Sequence, residues 1–457
     1  MTETADATNL TAATTNKWIS GRYAPVTEEV TAFDLPVIGE LPHELDGRYL
    51  RNGPNPLGPV DPATFHWFTG DGMVHGLRLR DGRAEWYRNR WVRSNQVSDA
   101  LGEAPAPGER HGPGDTANTN VIVLAGHTYA VVEAGARPVE LSDELATVAH
   151  SDLGGTLPHG FSAHPKVDPV TGDRHLIAYC WMVPHLEYVV VGADGQVRQV
   201  EPVAVTDGPM VHDCSITERW MLVYDLPVTF DLDVAMQGTF PYIWQPERAA
   251  RVGLVPLAGR GADVRWFEIE PCYVFHPLNA FDDGDRVVLD VVRYDRMFDR
   301  VRMGPDDGAP AWHRWTLDTG TGTVHEEQRA DMAFEFPRVD ERRVGRPYRY
   351  GYGTATGTSG GTGNEFSGDL VRVDLEQGTT AVIDLGPGRT SGEWVMVPRD
   401  AGAAEDDGWL LSLVHDAATD TSELVVLAAG DPAGGLVARV PLPVRVPVGF
   451  HGNWVPS

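Results

Sequence analysis

Four histidines stand apart from the rest of the 16 in this chain, because each sits alone in an apolar, strand-like run beside a turn-prone residue. His164 lies in Phe161-Ser162-Ala163-His164-Pro165, and His212 in Pro209-Met210-Val211-His212-Asp213. His276 lies in Tyr273-Val274-Phe275-His276-Pro277, and His451 in Gly449-Phe450-His451-Gly452. Burying an imidazole without a partner is costly, so four such placements suggest a shared partner. A metal ion is one such partner, since imidazole suits iron, copper, zinc and nickel. The competing reading is four unrelated histidines, each satisfied locally. No HExxH motif and no paired cysteines occur, so metal ligands would have to come from separate segments. Four neutral imidazoles leave a metal's charge uncompensated, which calls for carboxylates accepting the ring N–H groups from behind. Glu133, Glu335 and Glu393 each stand in an apolar run and are candidates, because a buried glutamate is rare without a partner.

The elements that must position these groups read as hairpins. Leu77–Arg80 and Arg83–Val92 flank Asp81-Gly82, and Asn120–Leu124 and His127–Val132 flank Ala125-Gly126. Tyr188–Val191 with Val197–Val205, Leu370–Leu375 with Thr379–Leu385, and Trp409–Val414 with Glu423–Leu427 repeat the pattern. Pro138–His150 is the best helical candidate. Fifty glycines and 34 prolines supply frequent turns, and no repeat of fixed period is visible. The chain therefore reads as all-β, with a β-propeller, a large sandwich or two barrels as candidate architectures. Residues 1–17 are expected to be disordered, and residues 18–457 to form one domain. The best candidate break is the glycine-rich stretch Gly351–Gly363.

Composition sets bounds on partners. A net charge of -28 opposes binding to nucleic acid. Three scattered cysteines, Cys180, Cys214 and Cys272, fit a reducing compartment, and the polar start has no apolar signal segment. No run of about 18 apolar residues appears. The expectation is a soluble cytoplasmic protein of open oligomeric state.

Several short motifs, in order, extend the histidine argument. His66-Trp67-Phe68-Thr69-Gly70-Asp71-Gly72-Met73 resembles an H-x-F-x-G-D-G-M motif, and Asn118-Thr119-Asn120 an N-T-N motif. With Glu335-Phe336-Pro337-Arg338, Ser391-Gly392-Glu393 and the four histidine segments, they resemble the carotenoid cleavage oxygenase family, which includes the lignostilbene dioxygenases. The resemblance runs from about Arg51 to the C-terminus. It implies a seven-bladed β-propeller with Fe(II) on its axis, capped on one face by loops and short helices around an apolar tunnel. It further implies that His164, His212, His276 and His451 hold the iron and that Glu133, Glu335 and Glu393 orient three of them. Which histidine lacks a glutamate is left open. Thr119 would lie near an open iron position. The implied activity is cleavage of an alkene by O2, as co-substrate, into two carbonyl products.

Within that family, lignostilbene-type members carry a lysine immediately before the first of these glutamates. Val132 stands there, which favours a carotenoid or apocarotenoid over a stilbene as substrate. The tunnel mouth is expected to be apolar, with Phe240–Trp244 and Leu226–Phe230 as candidate patches and peripheral membrane contact for substrate uptake. Three alternatives compete: an isomerohydrolase on the same scaffold, a non-catalytic binding propeller, and a calcium-dependent hydrolase. The last would need axial acidic clusters, and Asp282-Asp283-Gly284-Asp285 and Asp306-Asp307-Gly308 read better as turns. Deleting residues 451–457 is expected to match the effect of replacing His451 alone.

Overall fold

The structure, a computed structural model, describes residues 16–330, 332–356 and 368–457. Its strands pair where local turn chemistry directs them. Asp81 and Gly82 have φ of 52° and 70°, and Ala125 and Gly126 have 49° and 84°. Two successive positive φ values give a turn whose twist matches that of the flanking strands. Arg80 accordingly faces Arg83, and Leu124 faces His127.

Among the described residues, seven antiparallel sheets of four or more strands follow one another along the chain. We number these blades I to VII. Blade II begins with Asn120–Leu124, blade III with Lys166–Val167, blade IV with Cys214–Ile216, blade V with Tyr273–Asp283 and blade VI with Phe334–Arg338. Blade VII holds Arg389–Ser391 and Val395–Pro398, both paired to Gly408–Asp416. Blade I is closed by the last strand of the chain, Gly452–Pro456, which pairs with Gly47–Pro54. The leading strands of blades III to VI touch one another in ring order, and Gly452–Pro456 contacts both Asn120–Leu124 and Val395–Pro398. The fold is a seven-bladed β-propeller, whose closed ring leaves few exposed sheet edges.

A two-stranded hairpin, Val228–Phe230 with Tyr242–Trp244, is inserted in blade IV and carries the short helix Leu232–Met236. A second helix, Asn95–Leu101, is capped by the Ser94 hydroxyl, which accepts from Val97 N–H, and ends on Gly102 in the left-handed region.

Two expectations are corrected. Pro138–His150 is not helical; Val139–Leu141 and Thr147–His150 are the outer strands of blade II, and Val139 faces Ala130. Pairing to an existing strand outweighs a helical pattern too short to persist alone. Asn16 and Lys17 are also placed, since the Asn16 side chain caps the turn Lys17–Ile19 and Trp18 stacks on Trp67 at 4.7 Å. Residues 1–15 lie outside the described residues. So does most of the candidate break: Gly351 lies in the strand Tyr350–Ala355, residues 357–367 are not described, and the strands on both sides belong to blade VI. Asp283 and Arg286 close a hairpin, and Asp307 accepts backbone N–H groups of residues 299–301, so both acidic runs are turns.

Candidate metal centre

Each blade contributes one group to the axis. In ring order these are His451, Glu133, His164, His212, His276, Glu335 and Glu393. His164, His212 and His451 lie just before the leading strands of blades III, IV and I, and His276 lies within that of blade V. Backbone irregularity aims two of the groups. The register shifts on both sides of Pro277, next to His276, and again after Glu335, where Phe336 adopts a φ of 50°. Bulges of this kind re-aim side chains, and strain of this kind persists only where the surroundings hold it.

The four Nε2 atoms converge. His164 and His212 approach to 3.1 Å, while His212–His276 and His276–His451 stand at 3.2 Å. All four ligand atoms lie within 4.8 Å of one another, and all four residues are buried. Three rings are held from behind. His212 Nδ1 donates to Glu133 Oε1 at 2.8 Å, His276 Nδ1 to Glu335 Oε2 at 2.6 Å, and His451 Nδ1 to Glu393 Oε1 at 2.9 Å. A carboxylate fixes the proton on Nδ1 and leaves a bare lone pair on Nε2. Such lone pairs repel each other at about 3 Å, and a cation among them turns that repulsion into coordination. The donor set therefore fits a metal ion.

His164 is the ring without a glutamate. The nearest carboxylate, Asp213, lies 3.7 Å from its Nδ1, beyond hydrogen-bonding distance. Lys166 Nζ holds both oxygens of Asp213, at 2.8 and 2.9 Å, and Cys214 N–H donates to one of them. Burial, and then the other three imidazoles, push the His164 pKa well below the usual range. Burial also lowers His451, to about 4, against the pull of Glu393. For His212 burial is outweighed by Glu133, and the net shift is upward. Glu393 is held at about 2, because Arg338 and His451 overcome the effect of its burial.

Sequence reasoning assigns no role at the site to Arg338, Tyr294, Asp213 or Lys166. Arg338 Nη1 lies 3.0 Å from Glu393 Oε2, and Tyr294 hydroxyl donates to Glu335 Oε1 at 2.9 Å. Arg338 closes the Glu335-Phe336-Pro337-Arg338 motif and Asp213 follows His212, so adjacency is the available signal for these two. Tyr294 carries no local signal.

Two cavities reach the histidines. One, of about 580 Å³, is apolar and meets His212, His276 and His451. Phe68, Phe240, Phe275, Phe336 and Phe450 line it, as do Thr119 and Val132. The Thr119 hydroxyl bonds to Asn118 Oδ1 at 3.0 Å. His66 holds this wall rather than joining the histidine cluster. Its Nδ1 accepts from Phe68 N–H, and its ring stacks on Phe240 at 3.9 Å. Both patches expected at the tunnel mouth contribute to this cavity through Phe230, Phe240 and Tyr242. The second cavity, about 490 Å³, meets His164, His276 and His451 among Lys166, Asp213, Arg338 and Glu341.

Residues 23–456 match the family model described as retinal pigment epithelial membrane protein. A carotenoid cleavage oxygenase of Mycobacterium tuberculosis is 45% identical, covering 97% of this chain and 98% of its own. A carotenoid 9,10(9',10')-cleavage dioxygenase of Crocus sativus is 33% identical over 96% of this chain and 89% of its own. Among solved structures, a lignostilbene dioxygenase of Pseudomonas brassicacearum superposes with a TM-score of 0.86, at 30% identity over 96% of this chain and 98% of its own. The cobalt-substituted apocarotenoid oxygenase of Synechocystis gives 0.85, at 29% identity over 95% and 97%. Matched in this way over nearly its whole length, the chain belongs to the carotenoid cleavage oxygenase family and is an oxygenase.

Proposed function

We propose that this enzyme uses ferrous iron and O2 to cleave one C=C bond of a carotenoid or apocarotenoid, giving two carbonyl products. The observation that carries this reading is the position of three histidine Nε2 atoms at the wall of an aromatic, apolar cavity. His164, His212, His276 and His451 would hold the metal, with Glu133, Glu335 and Glu393 keeping three of the rings in the coordinating tautomer. Bound there, iron(II) would supply the activation of O2, which an alkene and a protein side chain cannot achieve on their own.

The chain's own residues do the rest. The phenylalanines bury a conjugated chain, exclude water and hold one double bond in register with the metal, which is catalysis by proximity and orientation. Thr119 spends its hydroxyl on Asn118, so its methyl is the group that would crowd the metal and restrict what binds beside it. Val132 offers no charge or hydrogen bond to a phenol, which supports a polyene over a stilbene. Trp181, Leu232 and Met236 line the cavity and are exposed, Met236 at 80%. They support substrate uptake through transient contact with a lipid surface. Among the described residues no helix is long and apolar enough to cross a membrane. Three free, buried cysteines support a reducing compartment such as the cytoplasm.

The test is a product assay on Fe(II)-loaded protein in air with an apocarotenal, a full carotenoid and 4-hydroxystilbene. Polyene-derived aldehydes, identified by mass spectrometry, are the expected result. Aromatic aldehydes alone would overturn the substrate class and keep the reaction. No carbonyl product from any of the three, with iron bound, would point to another alkene or to the isomerohydrolase reading.

A further inference from the structure

We propose that the polar cavity is the route by which the divalent metal enters the folded protein, separate from the route taken by substrate. The proposal rests on the metal reading above. The complete ligand set exists only after Gly452–Pro456 has paired with Gly47–Pro54, because His451 immediately precedes that closing strand. His451 N–H then donates to Thr119 O at 3.1 Å, fixing it across the blade I–II seam. A metal seeking all four rings therefore meets a closed propeller, and among the described residues the apolar and the polar cavity are the ways in that reach them.

The two differ in what they offer a hydrated dication. The apolar cavity presents mostly aromatic rings, and its one carboxylate, Glu133, is already engaged by the His212 ring, so an ion that sheds water there gains few replacement ligands. The polar cavity presents the carboxylates of Asp213 and Glu341 and the side-chain amide of Asn453, oxygen groups that can replace water step by step. It reaches the surface at Glu341, whose side chain is 53% exposed, and ends on His164, the ring that the apolar cavity does not meet.

The carboxylates on this path are also tempered. Lys166 holds Asp213 at 2.8 Å, and Arg338 holds Glu341 at 2.8 Å. Conduction of an ion requires sites attractive enough to enter and weak enough to leave. Pairing with a cation makes each carboxylate such a site. Consistent with this, the ligand atoms that converge among the described residues are those of the histidine quartet, not of the carboxylates along the way.

The test follows cobalt(II) uptake by the metal-free full-length chain at low ionic strength. Stopped-flow absorption gives the rate and elemental analysis the end point. Glu341→Arg should slow uptake by about tenfold, the low end of what charge steering gives an association rate. End-point cobalt should stay at the native level. Glu341→Gln should slow uptake less and carries the test if the arginine variant does not fold. Filling the apolar cavity with a saturated long-chain alcohol should leave the rate unchanged. An uptake rate indifferent to both Glu341 substitutions would overturn the route, as would a rate that collapses once the apolar cavity is filled. A folded, unsubstituted chain that takes up no cobalt at the end point would instead overturn the metal reading itself.

Discussion

The quadrant around His164 and the quadrant around His451 use the same side chain in opposite settings. His451 is braced by Glu393, which is itself fixed by Arg338 and by Gly452 N–H at 2.8 Å. His164 has no carboxylate behind it, because Lys166 has taken Asp213. The difference follows from the ring: seven blades each give one group, four give imidazoles, and three carboxylates cannot serve four rings. The unbraced ring is also the one that faces only the polar cavity. Support is thus concentrated on the three rings that border the apolar cavity.

The largest effect should come from removing residues 452–457. This takes away the strand that closes blade I and should abolish the cooperative thermal transition followed by circular dichroism. A melt like that of the full chain would show that His451 is held without ring closure. Sequence reasoning equates a deletion from residue 451 onward with the loss of the His451 ring; the structure separates the two. Replacing His451 with Ala should keep the fold, lower bound iron well below one per chain and abolish turnover, with iron measured by elemental analysis. An active, iron-replete variant would remove His451 from the ligand set.

Next in size is Glu335→Gln. The amide no longer accepts the His276 Nδ1–H as a charged group, and losing such a partner costs about 10–100-fold in affinity or activity. Turnover within about twofold of the native rate, a bound set against that same range, would mean that the braced rings need no bracing. Asp213→Asn should be the mildest. A carboxylate 3.7 Å from the His164 ring makes no hydrogen bond to it, so loaded-enzyme turnover should change by less than about threefold. A loss as large as that of Glu335→Gln would erase the contrast between the quadrants.

Much of this site is legible in the residues and their neighbours. Histidines and glutamates placed singly in apolar runs announce buried polar groups, and the rule that such groups need partners reaches both sets. Turns such as Asp81-Gly82 are readable because two adjacent residues decide them. Pro138–His150 misleads because Val139–Leu141 is defined by pairing with His127–Val131, and Thr147–His150 by pairing with Val139–Leu141, not by their own period. Tyr294 is invisible because its contact with Glu335 spans 41 residues and leaves no local trace.

Residue type and immediate neighbours single out the four imidazoles and the three carboxylates as candidates, together with the apolar character of the chain around them. They do not specify which ring goes without a carboxylate, nor that two unlike cavities meet the same histidines. Both of those depend on the order of seven blades around an axis. That order is set when Gly452–Pro456 pairs with Gly47–Pro54, a contact between the two ends of the chain that no local pattern encodes.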